Sequence, residues 1–209
     1  MIAWESPAHA TEYNYLAAAP DWLRTRFYDR YPEMHALPAT VTSILEVGCA
    51  TGEAARYLLA RYPHAAYTGY DVSAGAIATA RMKQLRGVFK CGRFQDARPT
   101  AQVVFCRDVV HHQADPWTFL DDLYQATEQL LIVRLRITEK PSYNRTQILY
   151  GQTVPYWLLN QQALADWGKD KAWGTDKAVI LCDKEEPPMA LWLRAALWEN
   201  YLPSTDPPL

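Results

Sequence analysis

The middle of this chain alternates short apolar runs with amphipathic stretches, and that alternation limits the fold more than any other feature. The apolar runs have the length of buried β-strands, and they lie at 43–47, 66–70, 88–91, 103–106 and 130–133. Strands that alternate with helices predict a parallel sheet with helices on both faces. The crossovers of such folds are right-handed almost without exception. Their ligands bind beyond the carboxyl ends of the strands, where the strand order reverses.

Helix signals lie between the strands. Residues 53–62 place small and apolar side chains on one stripe, which is typical of a helix that packs on a sheet. Ser73 is a good N-cap for a helix that we expect to reach about Leu85. Pro116 suits a first helical turn and predicts a helix that reaches about Gln129.

The two ends of the chain follow other patterns. An apolar run at 178–182, a proline-containing turn and a second apolar stretch at 189–197 predict a C-terminal antiparallel hairpin. A chain of 209 residues has the size of one domain. We therefore expect a single domain, 1–209, made of an N-terminal helical lid (1–40), a cofactor-binding core (41–140), a substrate-side insertion with the hairpin (141–202) and a disordered tail (203–209).

Composition argues against several function classes. The net charge is −2 and no run of Lys or Arg occurs, so we expect no nucleic-acid or membrane-surface partner. No apolar run approaches the ~20 residues that a membrane-spanning helix needs. The four cysteines form no CxxC pair, and most lie in apolar runs, which favours a reducing cytoplasm over an oxidising compartment. The first residues lack the basic and apolar regions of a signal peptide.

The segment Leu45–Glu53, with the sequence LEVGCATGE, carries the strongest functional signal. It lies where the first predicted strand passes into the first predicted helix. Gly48 and Gly52 allow a tight turn and the close approach of a ligand to the backbone, and a helix N-terminus presents unpaired N–H groups to a polar ligand. The spacing does not match the GxGxxG dinucleotide fingerprint, and no Lys-Ser or Lys-Thr pair follows as in a phosphate-binding P-loop.

This segment resembles motif I of the class I S-adenosylmethionine-dependent methyltransferases, in which an acidic residue precedes Gly-x-Gly-x-Gly. Ala50 stands at the middle glycine, where its methyl group should narrow the loop slightly. The resemblance implies a Rossmann-like, doubly wound α/β fold with a mostly parallel seven-stranded sheet. It also implies S-adenosyl-L-methionine as cofactor and S-adenosyl-L-homocysteine as product. The implied cofactor contacts along the loop are Glu46, Gly48, Cys49, Ala50, Thr51 and Gly52.

Two further acids follow Glu46 at intervals of 25 residues, about one βα unit each. Asp71 ends the second strand, and the resemblance implies that its carboxylate accepts hydrogen bonds from both ribose hydroxyls, with Val72 beside it. Asp96 lies in the loop after the third strand. There the family uses an Asp to accept from the adenine amino group, which implies cofactor contacts from Asp96 and Ala97.

The fourth strand runs into Arg107-Asp108-Val109-Val110-His111-His112, and Asp115-Pro116 follows. This order is similar to the Val-Leu-His-His and Asp-Pro pattern of many small-molecule methyltransferases, in which residues just past the strand lie beside the donor sulfur. The resemblance covers about residues 40–140 and implies that Cys106 and Arg107 contact the cofactor. Arg107 is suited to holding a carboxylate of the cofactor or of an acidic substrate, and equally to a solvated position at the rim.

The two histidines have two interpretations. Adjacent side chains point in different directions, so His111 and His112 do not suit one metal ion, and we expect no metal. They are typical either of packing at the start of the next helix or of general-base catalysis. As catalytic residues we expect His111, whose neighbours place it nearer the strand end, and Asp108, which is suited to orienting it.

The acceptor is the least constrained part of the function. We expect a small molecule, with Tyr13, Tyr143 and Arg145 as candidate contacts, because family members build substrate lids from insertions and N-terminal helices of this kind. Methyl transfer depends mainly on positioning and desolvation. The alternatives are a protein or RNA substrate, and a methyltransferase-fold binding partner without turnover. The sequence leaves monomer and homodimer open.

Overall fold

The computed structural model describes residues 37–149, 151–172, 177–183 and 190–193. Its strands are β1 (Ser43–Val47), β2 (Ala66–Asp71), β3 (Val88–Cys91), β4 (Ala101–Arg107), β5 (Thr127–Leu135), β6 (Ile137–Thr138), β7 (Tyr143–Leu149), β8 (Gln152–Asn160), β9 (Ala178–Asp183) and β10 (Ala190–Leu193). Its helices are α1 (Glu53–Arg61), α2 (Ala74–Met82), α3 (Phe94–Ala97), α4 (Pro116–Ala126) and α5 (Gln161–Ala172). A short 3-10 turn, Val110–His112, precedes α4.

Seven strands form the central sheet in the order β10-β9-β5-β4-β1-β2-β3. Every neighbouring pair is parallel except β9 and β10, which form the predicted antiparallel hairpin. From β1 the chain proceeds outward through β2 and β3 on one side and through β4 and β5 on the other. The strand order therefore reverses between β1 and β4, which is where folds of this kind bind ligands. The predicted Rossmann-like α/β fold is confirmed.

Helices cover both faces of this sheet because its strands are apolar on both sides. On one face Ile44 and Phe105 pack with Leu58 of α1 and Ile77 of α2. On the other face the alternate strand residues pack with α4 and α5, and they include Leu45, Val104, Leu131 and Val133. Successive strand residues point to opposite faces, so a strand covered on both faces is apolar throughout.

Two helix starts confirm the capping signals. The Ser73 hydroxyl accepts a hydrogen bond from the Ala76 N–H at 3.2 Å. Asp115 caps α4 by accepting from the N–H groups of Trp117 and Thr118 at 3.0 and 3.2 Å. Both caps satisfy N–H groups that the helix itself leaves without an acceptor.

Two helices end earlier than predicted. α2 ends at Met82, and Gln84 then adopts a left-handed backbone with φ of 52°. α4 ends at Ala126 instead of about Gln129, because β5 already begins at Thr127, opposite Ala101 of β4. The Thr127 hydroxyl donates to the Leu123 carbonyl at 2.8 Å and so supplies a donor to a carbonyl in the last turn of the helix.

The segment after β5 contains structure that the sequence patterns did not predict. A small sheet in the order β6-β8-β7 stands beside the central sheet, with β7 and β8 antiparallel and β6 and β8 parallel. Helix α5 follows and connects towards β9. The small sheet places β8 against the 3-10 turn, where the His112 Nδ1 lies 3.0 Å from the Pro155 carbonyl oxygen.

Several expectations lie outside the described residues. They are the helical lid up to residue 36, the candidate contact Tyr13 and the disordered tail. Within the described part of the chain, no helix combines the length and the apolar character needed to cross a membrane.

Candidate functional site

A cavity of about 390 Å³ lies at the carboxyl ends of β1, β2 and β4, next to the point where the strand order reverses. This volume falls within the range of about 300–1,000 Å³ that is usual for small-molecule sites. Its walls come from the segments that follow β1, β2, β3 and β4 and from β8. They comprise Val47, Gly48, Ala50, Tyr70, Asp71, Val72, Gly92, Arg93, Phe94, Gln95, Arg107, Asp108, Val109, His112, Gln113, Phe119, Gln152, Thr153, Val154 and Pro155.

The loop after β1 is folded tightly against β2 and the segment after β4. Gly48, Ala50 and Gly52 have left-handed backbones, with φ of 80°, 45° and 79°. The N–H group of Gly48 donates to the Tyr70 carbonyl at 2.8 Å. A Cβ atom on Gly48 would lie 2.2 Å from Cγ2 of Val109. Only glycine therefore fits this position, both for its backbone and for the space it has.

Asp71 ties the loop to the start of α2. Its Oδ2 accepts from the Ala50 N–H at 2.9 Å, and its Oδ1 accepts from the Ser73 N–H at 2.8 Å. Asp71 is buried, and it lines the cavity. A carboxylate offers about four acceptor sites, enough to hold the loop and a pair of ligand hydroxyls together.

Glu46 lies beneath the loop, outside the cavity wall. Its side chain is buried, and the Tyr67 hydroxyl donates to its Oε2. Burial raises the pKa of Glu46 from its usual 4.5 to about 7, against the opposing effects of the Tyr67 hydrogen bond and the Arg107 charge. Desolvation disfavours the charged form of a carboxyl group. Near neutral pH, the protonated and the ionised forms of Glu46 are therefore both populated.

This pKa predicts an unusual pH dependence of stability. The folded state binds more protons than the unfolded state between 4.5 and about 7, so the free energy of unfolding should fall as the pH rises through that range. The fall can reach about 1.4 kcal/mol per pH unit. We expect Glu46→Gln to remove it in urea unfolding curves measured between about pH 5 and pH 8.

Glu139→Gln serves as the control for that measurement, because Glu139 is exposed. It should leave the wild-type pH dependence unchanged. Equal slopes for wild type and Glu46→Gln over this range would contradict the prediction.

The implied cofactor residues fall into three groups according to the cavity that they line. Gly48, Ala50, Asp71, Val72 and Arg107 line the cavity together. Asp96 and Ala97 lie instead at a second, more open depression, which we call the outer hollow and which is lined by Tyr70, Arg81, Lys90, Cys91, Gly92, Arg93, Asp96 and Ala97. Away from both walls lie Glu46, Cys49, Thr51, Gly52 and Cys106.

The thiols of Cys49 and Cys106 are both buried. Cys49 packs in one apolar core and Cys106 in the other. Burial raises the pKa of both thiols well above the usual range, with the Glu46 charge adding to the effect. Both therefore remain protonated near neutral pH, and a protonated thiol is a poor nucleophile.

The two histidines have different environments in the structure. His111 is fully buried, and its ring contacts the rings of His112 and Tyr156 at centroid distances of 4.1 and 5.3 Å. His112 lines the cavity, where we expected His111. Asp108 also lines the cavity, and its Oδ1 lies 3.9 Å from Nε of the buried Arg134.

The two described acceptor candidates lie on β7. Tyr143 is 40% exposed. The Arg145 guanidinium lies 5.0 Å from the centre of the Tyr156 ring, a cation–π contact beside the histidines. Neither side chain belongs to the cavity wall, so their role as acceptor contacts stays a prediction.

Sequence reasoning missed the part of the wall that comes from β3, α3 and β8. Phe94 and Gln95 directly precede the predicted Asp96, so the segment was recognised and the residues within it were not. The β8 residues Gln152–Pro155 had no sequence signal, because they reach the cavity only through the small sheet.

Comparisons with known proteins address the family. A family model described as a methyltransferase domain matches residues 45–129. That span runs from β1 into β5 and contains the motif I loop and Asp71. No curated protein matches the chain at a significant level.

Solved structures share the fold. The N-terminal domain of EvdMO1 with SAH bound has 17% identity and a TM-score of 0.50, over 76% of this chain and 74% of that one. The plantazolicin methyltransferase BpumL in complex with SAH has 21% identity and a TM-score of 0.49, over 61% of this chain and 52% of that one. This chain therefore spans about half the length of the BpumL chain.

The family model and the strand order of the central sheet both indicate a methyltransferase fold. Domains of this class use S-adenosylmethionine as the methyl donor, which confirms the cofactor expected from the sequence at the level of the family. Residues 45–129 match a methyltransferase domain, and the chain has the Rossmann-like fold that is found in the class I S-adenosylmethionine-dependent methyltransferases.

Proposed function

We propose that this chain transfers the methyl group of S-adenosyl-L-methionine to a small-molecule acceptor. The observation that carries the proposal is the connection of Asp71 to the motif I loop at the wall of a cavity, at the point where the strand order reverses. We extend the proposal to the chain as a single domain, acting in the cytoplasm as a monomer or homodimer.

The cavity has the features that the cofactor requires. Asp71 supplies carboxylate oxygens for the ribose, and the glycine loop lets the ligand approach the backbone closely. Arg107 lines the same cavity and is suited to a carboxylate, either of the cofactor or of an acidic acceptor. S-adenosylmethionine supplies a methyl group whose bond to sulfur breaks with its electron pair going to sulfur while the acceptor atom forms the new bond.

The residues of this chain contribute position and exclusion of water. The segment after β4 and residues Gln152–Pro155 of β8 also line the cavity. An acceptor bound between them would be held against the methyl group. Orientation of two reactants in this way supplies a large part of the rate enhancement in many enzymes.

His112 is the residue that best fits removal of a proton from the acceptor. Its Nδ1 lies 3.0 Å from the Pro155 carbonyl oxygen, which can only accept a hydrogen bond. Nδ1 must therefore carry the ring proton, and Nε2 of the neutral ring is the basic nitrogen. We assign His112, in place of His111, the role of general base for acceptors that lose a proton.

The tautomer of His112 can be measured directly. We expect nitrogen-15 NMR of the uniformly labelled protein, at a pH at which the ring is neutral, to show His112 protonated at Nδ1 and unprotonated at Nε2, with His112→Gln identifying the resonances. A neutral ring protonated at Nε2 would contradict both the hydrogen bond to Pro155 and the assigned role.

Isothermal titration with S-adenosylmethionine and S-adenosylhomocysteine tests the proposed function, with NAD as the control ligand. We expect dissociation constants on the order of micromolar for the first two and no binding of NAD. A folded protein that binds neither sulfur ligand would overturn the proposal. Turnover is then measured as the formation of S-adenosylhomocysteine, with panels of small hydroxy, amino and thiol compounds offered as acceptors.

A further inference from the structure

Tyr70 carries a polar group that the fold leaves unused. The residue is 4% exposed, and its hydroxyl oxygen is buried with no hydrogen-bond partner among the residues that the structure describes. A buried hydroxyl without a partner is unfavourable, since it loses its hydrogen bonds to water and gains none. Such a group in a native structure calls for an explanation, and a bound ligand is one.

The position of Tyr70 indicates which ligand atoms it meets. Tyr70, Gly92 and Arg93 line both the main cavity and the outer hollow, so Tyr70 belongs to the boundary that the two share. Lys90, the register partner of Tyr70 on β3, places its Nζ 5.3 Å from the ring centre. The Tyr70 ring thus has a cation–π contact, and its hydroxyl is buried.

The neighbouring residues place this boundary at one end of the cofactor. Asp71, the next residue along β2, is proposed to bind the ribose, and on the β3 side the same cavity is lined by Phe94 and Gln95. The base of a nucleoside bound at Asp71 would extend in that direction. Asp96, the residue expected to hold the base, lies on the outer hollow and not on the main cavity.

We infer that the Tyr70 hydroxyl forms a hydrogen bond with the adenine of the bound cofactor and selects for that base. This inference rests on the proposed function. A phenol hydroxyl both donates and accepts, so it can serve a ring nitrogen or the amino group of adenine.

Tyr70→Phe tests the inference through two effects of opposite sign. Removing an unpaired buried hydroxyl should leave the melting temperature of the ligand-free protein unchanged or higher, because the ring keeps its packing. Removing a ligand contact should weaken S-adenosylhomocysteine binding about five-fold or more in isothermal titration. 5′-Methylthioadenosine, which carries the base and ribose without the amino-acid end, should lose affinity by a similar factor.

Tyr124→Phe is the matched control. The Tyr124 hydroxyl donates to the Lys171 carbonyl at 2.6 Å, and the residue lies on α4, outside both cavity walls. This variant should lower the melting temperature and leave the affinity unchanged.

The outcomes separate the two proposals. Failure of the wild-type protein to bind S-adenosylhomocysteine would overturn the proposed function and this inference together. Wild-type binding with equal affinity in Tyr70→Phe would overturn the inference alone. Weaker binding of S-adenosylhomocysteine with unchanged binding of 5′-methylthioadenosine would also overturn it, because the hydroxyl would then serve the amino-acid end.

Discussion

Replacing Asp71 with Asn is expected to weaken S-adenosylhomocysteine binding by about 100-fold, or about 2.7 kcal/mol. The carboxylate accepts from Ala50 N–H and Ser73 N–H with different oxygens. An amide has one acceptor oxygen, so its NH₂ group would face one of these donors. Hydrogen bonds to a charged group contribute about 1.5–3 kcal/mol each, and the variant loses both the proposed ribose contact and the shape of the loop.

Isothermal titration measures this loss, with Asp166→Asn as the control. Asp166 is exposed on α5, and its replacement makes the same change of charge at a distance from the cavity, so wild-type affinity is expected. Circular dichroism serves to check that the Asp71→Asn protein is folded. A folded Asp71→Asn protein with wild-type affinity would mean that the cofactor is not held at Asp71.

The elements predicted best are those that have a clear signal in their own residues. The central residues of β4 and β5 form continuous apolar runs because both sides of each strand are covered, and such a run is therefore a reliable strand signal. The helix starts at Ser73 and Pro116 depend on local capping chemistry and are equally visible.

The elements missed are those whose position depends on pairing with another strand. β7 is exposed on nearly every residue and is held by pairing with β8, so it has no apolar signal. The end of α4 was predicted too late because the register between Thr127 and Ala101 starts β5 early. At the end of α4, pairing with the distant strand β4 overrides the local helix preference.

The candidate site also contains residues that could be predicted from local sequence and residues that could not. Motif I and Asp71 could be predicted because their backbone geometry requires glycine and a carboxylate at fixed places along the chain. The choice between His111 and His112 depends on β8, whose Pro155 carbonyl lies beside His112. The unused hydroxyl of Tyr70 depends on the positions of β3 and α3, which no local pattern specifies.

A second long-range contact holds the motif I loop from the other side. Lys83, just past the end of α2, donates to the Thr51 carbonyl at 2.7 Å and pairs with the Glu53 carboxylate. The two charged side chains are 10% and 7% exposed. Removal of one partner from a buried ion pair costs about 3–5 kcal/mol, because the other charge is left buried without compensation.

We therefore expect Lys83→Met to lower the free energy of unfolding in urea by about 3 kcal/mol or more. Lys169→Met is the matched control, since Lys169 and Asp166 form an exposed pair at 4.0 Å, with 66% and 64% exposure. Its cost should stay below about 0.5 kcal/mol. The double variant Lys83→Met/Glu53→Gln should recover part of the lost stability because no buried charge remains. A Lys83→Met cost no larger than that of Lys169→Met would mean that the Lys83–Glu53 pair is solvated in solution and does not hold the loop.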